Sequence, residues 1–250
     1  MIPRVKTAIR YVRSAAAPWR WRIRRGDCPG CTSSAFIAFD DTPFHTRCLR
    51  CAATLVNLSL IPVIRRHCVD FAGRTAYEMS SYGATFDFLR RNFPDLHWSE
   101  YFPDHPLGTL VHGIRNEDAT QLTFADGMFD VVTSNQVFEH VLDDRAAYRE
   151  CLRVLRPGGA LIFSVPLYDS ARTEQVARLN SGGRIEWLGE PEYHDSRLAG
   201  PQSAPVFWRH SVSDIAARVA SVGFARAELV DVSIVRGQRV PQRIVYAVKG

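Results

Sequence analysis

Residues 128–166 read MFDVVTSNQVFEHVLDDRAAYRECLRVLRPGGALIFSVP, and this stretch decides the fold class. "MFDVVTSNQVFEHV" carries a buried-strand run. "DRAAYRECLRVL" sets Ala147, Cys151, Leu152 and Leu155 on one side, which predicts an amphipathic helix. "RPGG" ends that helix, with Gly158 suited to its C-terminal stop. "ALIFSVP" is a near-continuous apolar strand. Apolar strand, amphipathic helix, apolar strand is the rhythm of a mostly parallel sheet covered by helices.

The same rhythm extends outward. "TAYEMS" is a short apolar run ending in an acid, and "ATFDFLRRNF" has helical spacing through Phe86, Leu89 and Phe93. "LHWSEYF" reads as a strand. "SVSDIAARVASVGF" reads as a helix with a serine cap and a glycine stop, and "AELVDVSIV" and "RIVYAVKG" read as a closing pair of strands. In such sheets ligands bind at the carboxyl ends of the strands. Glu78, Glu100 and Asn135 close successive strands, and Asp118 follows in "EDATQLTF". Glu100 lies 22 residues after Glu78, near the interval at which a carboxylate meets ribose hydroxyls. Any one of these is ordinary loop polarity; together they favour a cofactor crevice.

Upstream, residues 28–51 read CPGCTSSAFIAFDDTPFHTRCLRC. Two Cys-x-x-Cys pairs, Cys28/Cys31 and Cys48/Cys51, are separated by 16 residues, the four-cysteine zinc pattern. Each turn aims two thiolates at one point, and two turns complete a tetrahedron that leaves no open position, so a zinc here is structural. "SAFIAF" supplies a small ribbon hairpin. Disulfides and a redox pair are the alternatives; a reducing cytosol disfavours the first, and the second needs one pair alone. Cys68 and Cys151 fall outside the pattern, and Cys151 reads as a buried face of its helix.

The chain has 250 residues, 46% apolar and 23% charged, ordinary for a globular protein with a sizeable core. Its net charge of +5 is uneven. Residues 1–26 hold Arg4, Lys6, Arg10, Arg13, Arg20, Arg22, Arg24 and Arg25 and no acid, so the remainder is net negative and gives no nucleic-acid signal. Ile2, Val5, Ile9 and Val12 share one helical face that Pro18 would end. A basic amphipathic segment of this kind suits an anionic membrane surface, an acidic protein or its own domain. No run approaches the roughly 18 apolar residues of a membrane span, and none has the form of a secretory signal. The expected location is the cytoplasm. The expected organisation is a basic tail (1–26), a zinc-ribbon-like module (27–55), a linker or helix (56–73) and an α/β domain (74–250).

From about residue 70 onward the chain resembles a class I S-adenosylmethionine-dependent methyltransferase domain. The resemblance is carried by Phe129-Asp130, Glu139-His140-Val141, Arg153-Val154-Leu155 and Pro157-Gly158-Gly159. The four-cysteine segment in front is also similar to a bacterial subset of that family. The resemblance implies an α/β, Rossmann-like, seven-stranded and mostly parallel sheet with helices on both faces. It implies S-adenosylmethionine as cofactor. Glu78 would belong to the first cofactor motif, and Ser80, Ser81 and Gly83 to the turn beside the methionine portion. Glu100 would accept both ribose hydroxyls, Asp118 would meet the adenine amino group, and the Ala119 backbone would donate. Asn135 and Val137 would line the methionine side. The family's glycine-rich first motif is here Glu78-Met79-Ser80-Ser81-Tyr82-Gly83. Serines suffice if the turn needs small residues rather than positive φ.

Methyl transfer aligns an acceptor with an activated carbon, and an oxygen acceptor also needs a base. His140, His194 and His210 are the candidates, His194 through the segment 184–210, which also holds Trp187, Tyr193 and Trp208 and suits an acceptor lid. The expected acceptor is a small or sugar-like molecule. Two rival readings stay open: a ribbon-bearing binding protein with a non-catalytic α/β domain, and a nicotinamide-dependent oxidoreductase, although neither a glycine-rich phosphate loop nor a hydride-site dyad is present.

Overall fold

The computed structural model describes residues 21–196 and 200–250. The amphipathic repeat through Val12 and its Pro18 stop lie outside the described residues. A three-stranded antiparallel sheet comes first, β1 (Arg22–Arg25), β2 (Ala35–Ala38) and β3 (Thr46–Cys48), in that order. The basic segment therefore supplies a strand to the cysteine module, pairing Arg22 with Ala38 and Arg25 with Ala35. Helices α1 (Leu55–Leu58) and α2 (Leu60–His67) follow, where a linker or helix is expected. Thr54 caps α1 by accepting from the Asn57 amide.

The main sheet comprises β4 (Thr75–Glu78), β5 (Asp95–Glu100), β6 (Leu110–Val111), β7 (Ile114–Asn116), β8 (Phe129–Asn135), β9 (Leu155–Ser164), β17 (Arg226–Val232) and β18 (Gln242–Val248). Its order is β17-β18-β9-β8-β4-β5-β7-β6, so it has eight strands rather than the expected seven. The additional pairing is the hairpin β6–β7, turned by His112 and Gly113 at φ 51° and 80°. Two positive φ values mark the turn type that suits a tight hairpin. The central strands β9, β8, β4, β5 and β7 are mutually parallel.

Alternation along each strand feeds two cores. Ala76, Val131, Ala160, Ile162 and Ile244 face α1, α2 and α3 (Ala84–Asn92). Their neighbours Tyr77, Val132, Leu161, Phe163 and Val245 face α4 (Asp144–Val154) and α5 (Ile215–Ala220). Helices thus cover both faces, as expected. Cys151 is fully buried on α4.

Two helix-end expectations are corrected. α4 stops at Val154 with an extended Leu155, and β9 starts there; Gly158, at φ 75°, sits inside that strand, its amide donating to Lys249 O. At α5 the cap position is Asp214, not a serine, and its carboxylate is committed to the Thr173 amide and hydroxyl at 2.9 and 2.6 Å.

Between β9 and α5 lies a long insertion: β10 (Leu167–Tyr168), β11 (Glu174–Gln175), β12 (Ala177–Leu179), β13 (Ile185–Trp187), β14 (Tyr193–Ser196), β15 (Gly200–Pro205) and β16 (Trp208–Ser211). The segment 184–210, expected as an acceptor lid, is built of short pairs, antiparallel except for β10–β16, and belongs to this larger insertion. His210 is fully buried in it, 3.1 Å from Asp144, which also takes two 2.6 Å bonds from Arg218. His210 therefore ties β16 to α4 and α5, which removes it as a candidate base.

The cysteine module is docked on the body rather than tethered beside it. Cys28, Phe36 and Cys48 belong to the same core as α1–α3. Backbone bonds run from Asp27 N to Ile234 O and from Arg236 N to Arg25 O. A Cβ on Gly26 would stand 2.3 Å from Ile234 O, so the approach needs glycine. Gly26→Ala is expected to lower stability by about 1–3 kcal/mol through this overlap. Chemical denaturation checks it, and an unchanged midpoint would contradict the docking. Among the described residues no helix is long and apolar enough to cross a membrane.

Candidate functional site

The parallel strands bring their carboxyl ends to one edge. Register pairs Glu78 with Thr133, Glu100 with Asn116, and Asn135 with Ser164. The sequence-predicted residues Glu78, Ser80, Ser81, Gly83, Glu100, Asp118, Ala119, Asn135 and Val137 occupy the ends of β4, β5, β7 and β8 and the turns just beyond. Between β4 and α3 only Gly83 takes a positive φ, 95°, so one glycine serves the turn. Met79 N donates to Thr133 O at 3.0 Å, and Ser80 Oγ reaches Tyr82 O at 3.3 Å. Ser81 donates to Glu100 Oε1 twice, from its amide at 2.7 Å and its hydroxyl at 2.8 Å. The turn is thus latched to the tip of β5, and one oxygen of Glu100 is engaged within the protein.

Glu78 is buried beside Thr133, whose hydroxyl donates to it. Burial, reinforced by the Glu100 charge and opposed by the Thr133 bond, pushes its carboxyl up to about 8. The folded state therefore holds a proton that the unfolded chain releases at lower pH, so stability from this group falls as pH rises from the ordinary carboxylate range through about 8. Glu78→Gln is expected to flatten that fall. Melting temperatures between pH 5 and 9 check it, and parallel profiles for the two proteins would contradict it.

Asp118 Oδ1 accepts from the Thr120 amide and hydroxyl at 2.8 and 2.7 Å, which sets its turn. Asn135 accepts from Ser164 Oγ at 2.8 Å and donates to Val56 O at 3.2 Å, so α1 borders the site. Ala119 and Val137 are half-buried against the α4-side core.

Beyond Asn135 the chain makes the short turn Phe138–His140, on which the insertion rests. Phe207 N donates to Glu139 O at 2.8 Å, and Trp208 Nε1 to Val141 O at 3.0 Å. His140 Nδ1 donates to Pro205 O at 2.8 Å. Its Nε2 lies 3.1 Å from His194 Nδ1, so the structure joins two candidates 54 residues apart in sequence. Burial would lower the His194 pKa, but the carboxylates of Glu139 and Glu192 outweigh it and hold it up to about 9. Glu192 is held down at about 2 by His194, against its own burial, and by Arg209. Neither Glu139 nor Glu192 stands out in the sequence; the signal for the first is an acid directly before a histidine in the turn after β8.

The second cluster is the cysteines. Cys28 and Cys51 sulfurs are 3.8 Å apart, Cys31 and Cys48 sulfurs 3.5 Å, and all four lie within 4.8 Å of one another. No disulfide links them. A zinc ion bound at 2.3 Å by a thiolate tetrahedron sets its sulfurs about 3.8 Å apart. The two turns match: Thr32 N donates to Cys28 O and Ala52 N to Cys48 O, and Thr32 and Ala52 take φ 62° and 58°. Burial pushes the Cys28 and Cys51 thiols up, whereas at Cys48 burial is outweighed by the amides of Cys51 and Arg50, which bring its thiol down.

This geometry lies in a part of the chain that is similar to known proteins. Residues 96–163, running from β5 through β9, match the family model described as a methyltransferase domain. A demethylmenaquinone methyltransferase of Mycolicibacterium vanbaalenii is 43% identical over 72 residues, covering 25% of this chain and 32% of the relative. The corresponding protein of Mycolicibacterium paratuberculosis is 52% identical over 72 residues, with 25% and 31% covered. The chain thus spans about a third of the length of these curated relatives. The crystal structure of an S-adenosylmethionine dependent methyltransferase from Mesorhizobium loti superposes with a TM-score of 0.50 at 19% identity, covering 76% of this chain and 98% of that one. The shared architecture is the α/β Rossmann-like fold.

Proposed function

We propose that the protein is a class I S-adenosylmethionine-dependent methyltransferase acting on a small-molecule or sugar-like acceptor, with a structural zinc on Cys28, Cys31, Cys48 and Cys51. The observation that carries the reading is the gathering of Glu78, Glu100, Asp118 and Asn135 at one sheet edge, the last three within residues 96–163, which match the methyltransferase model. The names of the curated relatives support the reaction class.

The cofactor, when bound, supplies a methyl group already activated on a sulfonium. Glu100 accepts from the ribose hydroxyls while Ser81 holds its Oε1. Asp118 and Ala119 take the adenine, and Ser80, Ser81, Gly83, Asn135 and Val137 border the methionine portion. The turn carries too few glycines to bring several amides against a pyrophosphate, which favours a sulfonium nucleoside over a dinucleotide. His140 and His194, under the insertion, stand on the acceptor side, and β14 and β16 border it. The thiolate tetrahedron fits zinc in donor type and spacing.

Calorimetric titration of the folded protein with S-adenosylhomocysteine is expected to give micromolar binding with one site per chain. Saturable binding of NADH, with none of S-adenosylhomocysteine, would overturn the reading.

A further inference from the structure

A third convergence of ligand-type side chains lies under the insertion. Three atoms meet there: Glu139 Oε1, His140 Nε2 and His194 Nδ1. The nitrogens are 3.1 Å apart, and each lies 3.6 Å from the carboxylate oxygen. At 3.6 Å the carboxylate is an ion-pair neighbour of both rings, beyond hydrogen-bond reach. Glu139 is 1% exposed, and neither of its oxygens has a hydrogen-bond partner. A buried carboxylate without hydrogen bonds is costly unless a cation sits against it.

We propose that Glu139, His140 and His194 bind a divalent metal ion of the zinc and cobalt class, separate from the four cysteines. Spacing, donor type and surroundings support the assignment. The circle through the three ligand atoms has a radius of about 2.0 Å, the bond length of zinc to imidazole nitrogen and carboxylate oxygen. Two imidazoles and one carboxylate are a donor set that leaves a position open, unlike a closed thiolate shell.

The surroundings orient the ligands. His140 donates its Nδ1 proton to Pro205 O, which leaves Nε2 as the basic nitrogen facing the site. Glu192 Oε1 lies 3.8 Å from His194 Nε2, the ring atom turned away from the site. Arg209 fixes Glu192 from Nε at 2.9 Å and from Nη2 at 2.8 Å. At 3.8 Å Glu192 is an ion-pair neighbour of that ring, on the side where metal-ligating imidazoles commonly have a carboxylate. The ligands come from two elements, the turn after β8 and strand β14, so a bound ion also ties the insertion to the sheet edge. The assignment uses none of the strand-tip residues proposed for the cofactor, and it shares His140 and His194 with the proposed acceptor side.

The test uses the full-length protein loaded with cobalt(II), with metal content and absorption measured together. Wild type is expected to hold two ions per chain, one giving thiolate charge-transfer bands and one giving the weaker visible bands of a nitrogen and oxygen site. His194→Ala and Glu139→Gln are each expected to lose one ion and the second set of bands while keeping the thiolate bands. The retained thiolate bands report that the chain is folded. A single ion per chain in wild type, or two ions that survive both substitutions, would overturn the site and leave Glu139 an ion-pair partner of protonated His194. Titration of the same samples with S-adenosylhomocysteine keeps the two readings apart, because cofactor binding and the second ion are scored separately.

Discussion

Glu100→Ala is expected to weaken S-adenosylhomocysteine binding by more than about 100-fold. Hydrogen bonds to a charged group contribute about 1.5–3 kcal/mol each, and two such bonds to a ribose exceed the 1.4 kcal/mol per tenfold by a wide margin. Within the protein, Glu100 also accepts two bonds from Ser81, so its removal unlatches the turn between β4 and α3. Ser81→Ala separates the two effects. It removes the 2.8 Å hydroxyl bond and keeps the 2.7 Å amide bond. Its cost to affinity is expected to stay under about tenfold. Calorimetry on the three proteins decides, and equal affinities for wild type and Glu100→Ala would remove Glu100 from the site.

The largest expected stability effect is loss of the zinc proposed at the cysteines. Structural zinc contributes about 10–16 kcal/mol in small zinc modules, whereas a whole domain has only about 5–15 kcal/mol of net stability. Here the module shares its core with the body: Cys28, Phe36 and Cys48 pack in one cluster with α1, α2 and the sheet. Cys48→Ser, or chelation of the purified protein, is therefore expected to lower the melting temperature of the whole chain rather than melt a detached lobe. Thermal unfolding followed by circular dichroism, with zinc content measured in parallel, checks it. A metal-free protein with an unaltered melting temperature would contradict the structural role.

Much of this was legible in the sequence for physical reasons that differ by region. β8, α4 and β9 announce themselves because central parallel strands are apolar on both faces and the helix between them is not. The doubled Cys-x-x-Cys is specific because four thiolates at that spacing have few other uses. β1 was hidden because Arg22–Arg25 is an exposed edge strand, so no alternating burial is written into it. The β6–β7 hairpin was hidden because its turn is His112-Gly113 and its strands are two and three residues long. Gly158 misled because a glycine after a helical run suits a helix stop, whereas its positive φ serves a bend inside β9.

The site divides in the same way. Strand-tip residues are readable because each follows its own strand. The cluster of Glu139, His140 and His194 depends on the insertion folding back across the turn after β8, a long-range contact that leaves no periodic trace. The structure also bears on the turn proposed as the first cofactor motif. Ser80 and Ser81 replace glycines at positions that do not need positive φ, and Ser81 gains a hold on Glu100 that a glycine side chain lacks.

The most direct test of the central claim is amide hydrogen exchange of the full chain with and without S-adenosylhomocysteine. If one crevice at the strand ends takes the cofactor, protection concentrates in residues 79–83, 100–102, 117–120 and 135–137 together, and NADH leaves all four segments unchanged. Protection confined to the cysteine module or the insertion, or no protection at saturating ligand, would contradict it.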